Sequence, residues 1–146
     1  MEIAGCGQHA CAVMRDGTVR CAGYNMNTHI CSDDGDFFCP PEMARTIVGL
    51  TDIQQTASAH GYAQYALRRD GRLLRWGQIR AFARAPGLPT RTAVPELVPE
   101  PTDVVRIGGG DGDLLALKRD GTLWALHLPT EDGVPSVTRV PGFGPP

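Results

Sequence analysis

The sequence predicts an all-β fold built from β-propeller blades, and three observations lead to that prediction. Glycine (18) and proline (12) together exceed a fifth of the 146 residues, which is too many for a helical bundle and suits short strands joined by turns. No long window keeps the i, i+3, i+4, i+7 apolar spacing of a helix. One unit of sequence occurs three times at intervals of about 50 residues, which is typical of propeller blades.

The repeated unit centres on an Asp-Gly pair preceded by arginine and flanked by short apolar stretches. The three pairs are Asp16-Gly17, Asp70-Gly71 and Asp120-Gly121. Such a pair between apolar stretches predicts a β-hairpin. A long segment rich in proline and small residues follows each hairpin, at residues 25–45, 78–101 and 128–138. We expect no regular interior strands in these segments, because proline cannot donate a ladder hydrogen bond.

The residues around the turns resemble the repeat of the regulator-of-chromosome-condensation (RCC-type) family. Residues 3–13 are glycine-rich at their start and lead into a strand through His9, as in that repeat. The Trp-Gly pair that follows the turn in the family is present as Trp76-Gly77 in the second unit. Ala22 replaces that tryptophan in the first unit, and Leu126-His127 replaces the pair in the third. The resemblance implies a propeller, commonly of seven blades, in which each blade is a small antiparallel sheet.

Three blades are too few for a closed ring, since propellers have about four to eight. We expect a single domain of three repeats, at about residues 1–53, 54–104 and 105–146, cut inside a blade. The ring is then completed by a second copy, giving six blades, or by a related chain that supplies the rest. The predicted assembly strand is Val137, Thr138, Arg139 and Val140, which pairs with the blade of a neighbouring subunit that contains Ile3. The alternative is that the chain is a piece of a longer polypeptide.

All five cysteines lie in the first unit. Cys11 and Cys21 flank the first turn at equal distances, so the sequence places them opposite each other on two strands. Some bacterial RCC-type repeats similarly carry a cysteine on each strand beside the turn, and this resemblance implies a cross-strand disulfide. Cys31 and Cys39 could cross-link the segment between them in the same way. Disulfides indicate an oxidising compartment, whereas no signal peptide is visible, so localisation is left open.

A zinc site is the alternative use of the thiols. The ligand types are present among Cys6, His9, Cys11, His29, Cys31 and Cys39, and zinc accepts cysteine and histidine. There is no Cys-x-x-Cys pair, however, and adjacent residues of a strand point to opposite faces of a sheet. The sequence therefore favours disulfides or buried thiols, with no metal and no other cofactor.

The most distinctive candidate for a binding surface is an acidic and aromatic segment in the first long loop. It comprises Asp33, Asp34, Asp36, Phe37 and Phe38. Aromatic side chains beside a charged rim are typical anchors for a protein partner. The alternative is that both phenylalanines pack against their own blade. The aspartates lack the spacing and the closing glutamate of a calcium loop, so we predict a solvated loop tip there.

Composition and motifs together favour a noncatalytic protein-binding role. The formal net charge is −2, and with Lys118 the only lysine there is no lysine-rich patch for a phosphate backbone, so nucleic acid is not an expected partner. Apolar runs of four or five residues are far too short to span a membrane. No Gly-x-Ser-x-Gly, His-Glu-x-x-His or Walker motif occurs. We predict a propeller that binds protein, with nucleotide exchange on a GTPase, implied by the resemblance, or inhibition of an enzyme as alternatives.

Overall fold

The computed structural model describes residues 1–6, 9–24, 38–39, 44–59, 63–78, 91–109, 112–127 and 136–145. These residues form three antiparallel sheets, which we call blades 1, 2 and 3 in chain order. Their regular elements are all strands, so the all-β prediction is confirmed. No helix long and apolar enough to cross a membrane occurs in this part of the chain.

Each blade is a meander of four consecutive strands that are neighbours in the sheet, and blade 1 has a fifth strand that pairs with its third. Blade 1 contains β1 (Glu2–Cys6), β2 (His9–Val13), β3 (Val19–Tyr24), β4 (Phe38–Cys39) and β5 (Arg45–Thr46). Blade 2 contains β6 (Ile53–Ala59), β7 (Ala63–Arg68), β8 (Leu73–Gln78) and β9 (Arg91–Val98). Blade 3 contains β10 (Val104–Gly108), β11 (Leu114–Lys118), β12 (Leu123–Leu126) and β13 (Val137–Arg139).

The Asp-Gly pairs form the central hairpin of every blade, as the sequence predicts. In the first, the Met14 amide donates to the Thr18 carbonyl over 2.8 Å, which closes the loop. Gly17 has a φ of 81°, a left-handed conformation that glycine adopts without steric cost. The Asp16 carboxylate accepts hydrogen bonds from the Thr18 amide and hydroxyl at 3.0 and 2.7 Å. These bonds hold the pKa of Asp16 below its usual value.

The segments after the hairpins contain the outer strands of the blades. The sequence analysis predicted a strand at residues 137–140 but none in the segments of blades 1 and 2. β9 includes Pro95, and its pairing with β8 shifts register between Arg75 and Gly77. Proline is tolerated there because β9 is the last strand of its sheet, where one row of amides faces away from any partner strand. The proline content therefore marks an edge strand in this segment and not a loop without strands.

The pairing of β13 differs from the predicted strand exchange between subunits. Val137, Thr138 and Arg139 pair with Leu126, Ala125 and Trp124 of β12 in their own blade. Blade 1 likewise fills its outer position with its own strands β4 and β5. Among the described residues, the positions that pair with β3 in blade 1 are thus occupied by β4 and β5 of the same chain and not by Val137–Arg139 of another copy.

The linkers between blades share one conformation. Asp52 and Asp103 have φ angles of 56° and 58°, and the residue after each begins the next inner strand. The amides of Ile53 and Val104 donate to the carbonyls of the preceding turn glycines at 3.0 and 3.1 Å. Each linker therefore fixes the next blade to the hairpin turn of the one before it.

Candidate functional site

The blades pack face to face, and the joint between blades 1 and 2 shows what a completed joint contains. We call the face that meets the preceding blade the leading face, and the opposite one the trailing face. Apolar side chains fill this joint, and they are Cys11, Val13, Val19 and Cys21 from blade 1, Ala66 and Trp76 from blade 2, and Ile47, Leu50 and Ile53 beside them. Trp76 is completely buried, because it lies opposite the small side chains of Cys11 and Cys21.

A histidine crosses the same joint. Nε2 of His9 lies 3.2 Å from the Ser58 hydroxyl, which donates to Oε1 of Gln64 at 2.8 Å. Burial lowers the pKa of His9, because the charged imidazolium loses its hydration, and the hydrogen bond with Gln64 opposes this only in part. A neutral His9 therefore links the trailing face of blade 1 to the leading face of blade 2.

The joint between blades 2 and 3 is held by a glutamine. The Gln55 side chain donates from Nε2 to the Ile107 carbonyl and accepts from the Ile107 amide, each over 2.8 Å. Gln55 thereby binds the main chain of the inner strand β10 at Ile107, which is the cross-strand partner of Ala116 in β11. We call this pair of hydrogen bonds the Gln55 clamp.

Large polar side chains also fill the second joint. Tyr65 and Arg75 are cross-strand partners on the trailing face of blade 2, and both are buried. Burial raises the pKa of Tyr65 to about 12. Oε2 of Glu96 lies 3.6 Å from Nη2 of Arg75. The other two guanidinium nitrogens of Arg75, Nε and Nη1, have no hydrogen-bond partner. This joint thus contains an incompletely satisfied cation.

Blade 1 has no blade in front of it among the described residues, and its leading face is open. Ile3 is 70 % exposed there. Ala10, Ala12 and Ala22 share this face with Ile3, because they occupy alternate strand positions to Cys11 and Cys21. At the corresponding positions of blade 2 all four side chains are buried, and Gln64 and Trp76 stand where blade 1 has the much smaller Ala10 and Ala22. The four residues of blade 2 are Thr56, Gln64, Ala66 and Trp76.

Blade 3 has an open trailing face at the other end. Leu115 is 41 % exposed, and Leu117 and Leu123 on the same face are partly exposed. The corresponding residues of blade 2, Leu67 and Leu73, are fully buried. Positions that are apolar and buried at both internal joints are therefore apolar and accessible at this end.

A polar cluster borders the open face of blade 3. Nδ1 of His127 lies 2.7 Å from an Asp113 carboxylate oxygen, and Nε2 lies 2.9 Å from the Thr138 hydroxyl. Thr138 pairs with Ala125, which places the cluster on the trailing side. The Asp113 and His127 side chains are each 37 % exposed. Sequence reasoning missed this cluster, because its members are far apart in sequence: Asp113 precedes β11, His127 follows β12, and Thr138 lies in β13.

Comparisons with known proteins agree on the architecture. No protein-family model matches the chain, and no curated protein matches its sequence. Human WBSCR16 matches with a TM-score of 0.74 at 22 % identity, over 97 % of this chain and 40 % of that one. Yeast RCC1 (Prp20), in a complex with Kap60, matches with a TM-score of 0.67 at 22 % identity, over 86 % of this chain and 29 % of that one. Prp20p from Saccharomyces cerevisiae matches with a TM-score of 0.66 at 22 % identity, over 86 % and 30 %.

The fold is that of an RCC1-type β-propeller. At 22 % identity the likeness extends to the fold alone. This chain spans two fifths or less of the length of these proteins, so its three blades correspond to part of an RCC1-type ring.

The residues predicted for binding mostly lie outside what the structure describes. Asp33, Asp34, Asp36 and Phe37 are outside the described residues, and for Phe38 the structure describes only its place in β4. The binding role of this segment remains a prediction. Of the predicted assembly residues, Ile3 lies on the open leading face, whereas Val137 packs partly against the core between blades 2 and 3. Thr138 and Arg139 are exposed, and Val140 donates from its amide to the Leu123 carbonyl.

Blade 1 contains one disulfide among the described residues. Cys11 and Cys21 are cross-strand partners with their Cα atoms 4.1 Å apart, and their sulfurs are bonded. This bond removes Cys11 from any metal site. No group of three metal-ligating side chains occurs among the side chains that the structure describes. Cys31 and His29 lie outside the described residues, so the second predicted disulfide remains a prediction.

Proposed function

We propose that this chain is a noncatalytic, protein-binding propeller module whose two open blade faces take up further blades. One observation supports this most directly. Leu115, Leu117 and Leu123 of blade 3 occupy positions that are buried in blades 1 and 2, yet they are exposed or partly exposed. Burying apolar surface contributes about 25 cal/mol per Å², so a face of this kind is stabilised when another sheet covers it.

The geometry of the blades supports ring completion by addition of whole blades. Every blade has its own four strand positions filled, and so the proposed contact is face to face and involves no strand exchange. Three blades correspond to less than the four to eight of known rings. We further propose that residues 1–53, 54–104 and 105–146 each contribute one blade to that ring.

The proposed class of functional partner is a protein. Prp20, which shares the fold, is described in a complex with Kap60 and by its binding to Gsp1p and histones. Propellers bind through loops held on a rigid scaffold, and the segment with Asp33, Asp34, Asp36, Phe37 and Phe38 is the proposed contact in this chain. The net charge of −2 disfavours nucleic acid as the partner.

The described residues support a noncatalytic role. Asp113, His127 and Thr138 stand in the order of a carboxylate, an imidazole and a hydroxyl, which is the order of a catalytic triad. Water reaches the side chains of both Asp113 and His127, since each is 37 % exposed, and groups in such contact with water act far more weakly than groups in a closed site. We therefore assign the cluster to packing at the blade face.

Nucleotide exchange on a GTPase is the second candidate. The observation that favours it is the shared fold with Prp20, for which binding to Gsp1p is described. If it holds, the chain accelerates release of a labelled guanine nucleotide from such a protein, and the acidic segment is required. A chain that binds a protein partner without changing nucleotide release supports the first candidate.

Single-particle images of the purified chain, or of the chain with its bound proteins, test ring completion. We expect a closed toroid with more than three blades. The variant Leu117→Asp places a carboxylate on the trailing face of blade 3. We expect this variant to prevent ring closure and to give open arcs. Open arcs from the unmodified chain at every concentration and in its native complexes would overturn the proposal.

A further inference from the structure

We propose that blade 1 contains a thiol–disulfide exchange site, in which the Cys6 thiol exchanges with the Cys11–Cys21 disulfide and opens it to small thiols. The site lies within one sheet and therefore does not depend on how the ring is completed. The chain has five cysteines, all in the first repeat, and the structure joins Cys11 to Cys21. An odd number leaves at least one thiol free within the chain. Cys6 is that thiol when Cys31 and Cys39 form the second predicted disulfide.

The strand register places Cys6 close to the disulfide. Cys6 pairs with His9 across β1 and β2, and Ala4 pairs with Cys11 in the same uninterrupted ladder. Residues two apart in a strand lie on the same face of a sheet, so Cys6 and Ala4 belong to one face. Cys6 therefore occupies the position next to Cys11 on the trailing face of blade 1, diagonally across the two strands.

Only a small movement separates these two cysteines from bonding distance. Diagonal neighbours across two antiparallel strands have Cα atoms about 7–8 Å apart, and the Cα atoms of bonded cysteines lie up to about 7 Å apart. Cys6 is the last residue of β1, and the ends of elements open at a lower free energy than their centres. A shift of about 1 Å at the end of β1 therefore brings Cys6 within reach of Cys11.

The disulfide itself is shielded from solvent. Cys11 and Cys21 are only 3 % and 1 % exposed, because Trp76 of blade 2 packs in the same apolar cluster. Blade 2 therefore obstructs a thiol in solution, whereas a cysteine on the same face of blade 1 does not have to cross the joint. A thiol held beside its target also reacts at a high effective concentration.

The exchange conserves atoms and electrons and needs no oxidant. The Cys6 thiol loses its proton to water, and the thiolate attacks Sγ of Cys11. The Cys11–Cys21 bond breaks as the Cys6–Cys11 bond forms, and the Cys21 sulfur leaves as a thiolate that takes up a proton.

A small dithiol such as dithiothreitol then reduces the new disulfide at the end of β1. Its first thiolate bonds to Cys6 and releases Cys11, and its second thiolate closes a cyclic disulfide and releases Cys6. The dithiol is oxidised, and one protein disulfide is reduced to two thiols.

Single cysteine replacements trap the exchanged pair. In Cys21→Ser, Cys11 has lost its partner, and we expect oxidised glutathione to join Cys6 to Cys11 with release of two molecules of reduced glutathione. Cys11→Ser is the matched control, because Cys21 lies in β3, which is separated from β1 by β2, and we expect no bond between Cys6 and Cys21. Alkylation of free thiols followed by peptide mass spectrometry without reduction identifies the bonded pairs.

The rate of reduction tests the exchange in the chain with its disulfide intact. We expect millimolar dithiothreitol to reduce the Cys11–Cys21 disulfide about tenfold or more slowly in Cys6→Ser than in the unmodified chain. The double variant Cys31→Ser with Cys39→Ser is the matched control, since it keeps Cys6, and we expect its rate to be unchanged. Samples quenched by alkylation at successive times and analysed by mass spectrometry give the rates.

Circular dichroism checks that each variant is folded, and if Cys21→Ser is not, the reduction rates decide alone. A Cys6–Cys11 bond in folded Cys21→Ser and slow reduction of Cys6→Ser are both expected. The exchange site is overturned if Cys11 of folded Cys21→Ser bonds only to glutathione or to Cys39. It is equally overturned if Cys6→Ser is reduced as fast as the unmodified chain.

Discussion

Replacing Gln55 by alanine gives the sharpest test of how the blades are held together. The side chain makes two hydrogen bonds of 2.8 Å to the main chain of Ile107 in the next blade. Each contributes about 0.5–1.5 kcal/mol net, so we expect Gln55→Ala to lower the free energy of unfolding by about 1–3 kcal/mol. With a denaturant slope of about 2 kcal/mol/M, this corresponds to a loss of about 1 M in the urea midpoint.

Gln54→Ala is the matched control, because it is the same substitution at the neighbouring exposed position. Exposed substitutions change stability by about 0.5 kcal/mol or less, so the control midpoint should stay within about 0.25 M. Amide hydrogen exchange provides a local measurement, since the Ile107 amide donates directly to Gln55. Equal urea midpoints for the two variants, with Ile107 still protected in Gln55→Ala, would refute the role of the clamp.

Gln55→Glu separates the two hydrogen bonds of the clamp. The carboxylate still accepts from the Ile107 amide, but it places a second acceptor against the Ile107 carbonyl. We expect at pH 7 a loss of stability at least as large as for Gln55→Ala. Protonation restores a donor, so relative to the unmodified chain the variant should recover as the pH falls towards 4. A difference between Gln55→Glu and the unmodified chain that does not depend on pH would contradict this assignment.

Three further predictions follow from blade 1, from a turn glycine and from a buried histidine. Cys11→Ser with Cys21→Ser opens a loop with a sequence separation of 10 residues, and we expect a loss of roughly 2–3 kcal/mol, measured by urea unfolding with and without reductant. Gly71 has a φ of +82°, and Gly71→Ala places a Cβ 3.1 Å from the Cα of Asp103, so we expect the free energy of unfolding to fall by about 1–2 kcal/mol. Gly112→Ala is the control, because a Cβ on Gly112 meets nothing within 4 Å, and we expect little change in stability. The lowered pKa of His9 means that the unfolded chain binds its proton more readily, so stability is complete above about pH 6.5 and falls as the pH decreases below it. The urea midpoint of His9→Gln should depend less on pH over the same range, and an unchanged dependence would show that His9 is not responsible.

The hairpins and their number could be predicted from local sequence. An Asp-Gly pair such as Asp16-Gly17 specifies a turn through the conformation of glycine and the hydrogen bonds of the aspartate, and both act within a few residues. The outer strand of blade 2 could not be predicted in this way, and the strand predicted at residues 137–140 was assigned to the wrong blade. β9 contains Pro95, and only its position at the edge of a finished sheet makes that residue acceptable. The acidic segment at Asp33–Phe38 lies mostly outside the described residues, so its predicted role remains a prediction.

The sequence by itself determined the strand content, the three repeats and the placement of Cys11 opposite Cys21, because these depend on spacing along the chain. Only the tertiary structure decided which face of each strand is covered, and it assigned β13 to its own blade and not to a neighbour's. It also brought Gln55 to Ile107 and His9 to Ser58, which are partners that lie 52 and 49 residues apart in sequence and meet at the joints between blades. The physical reason is that burial and long-range hydrogen bonds depend on the packing of whole sheets, and that packing is set by the combined shapes of two faces rather than by either strand alone.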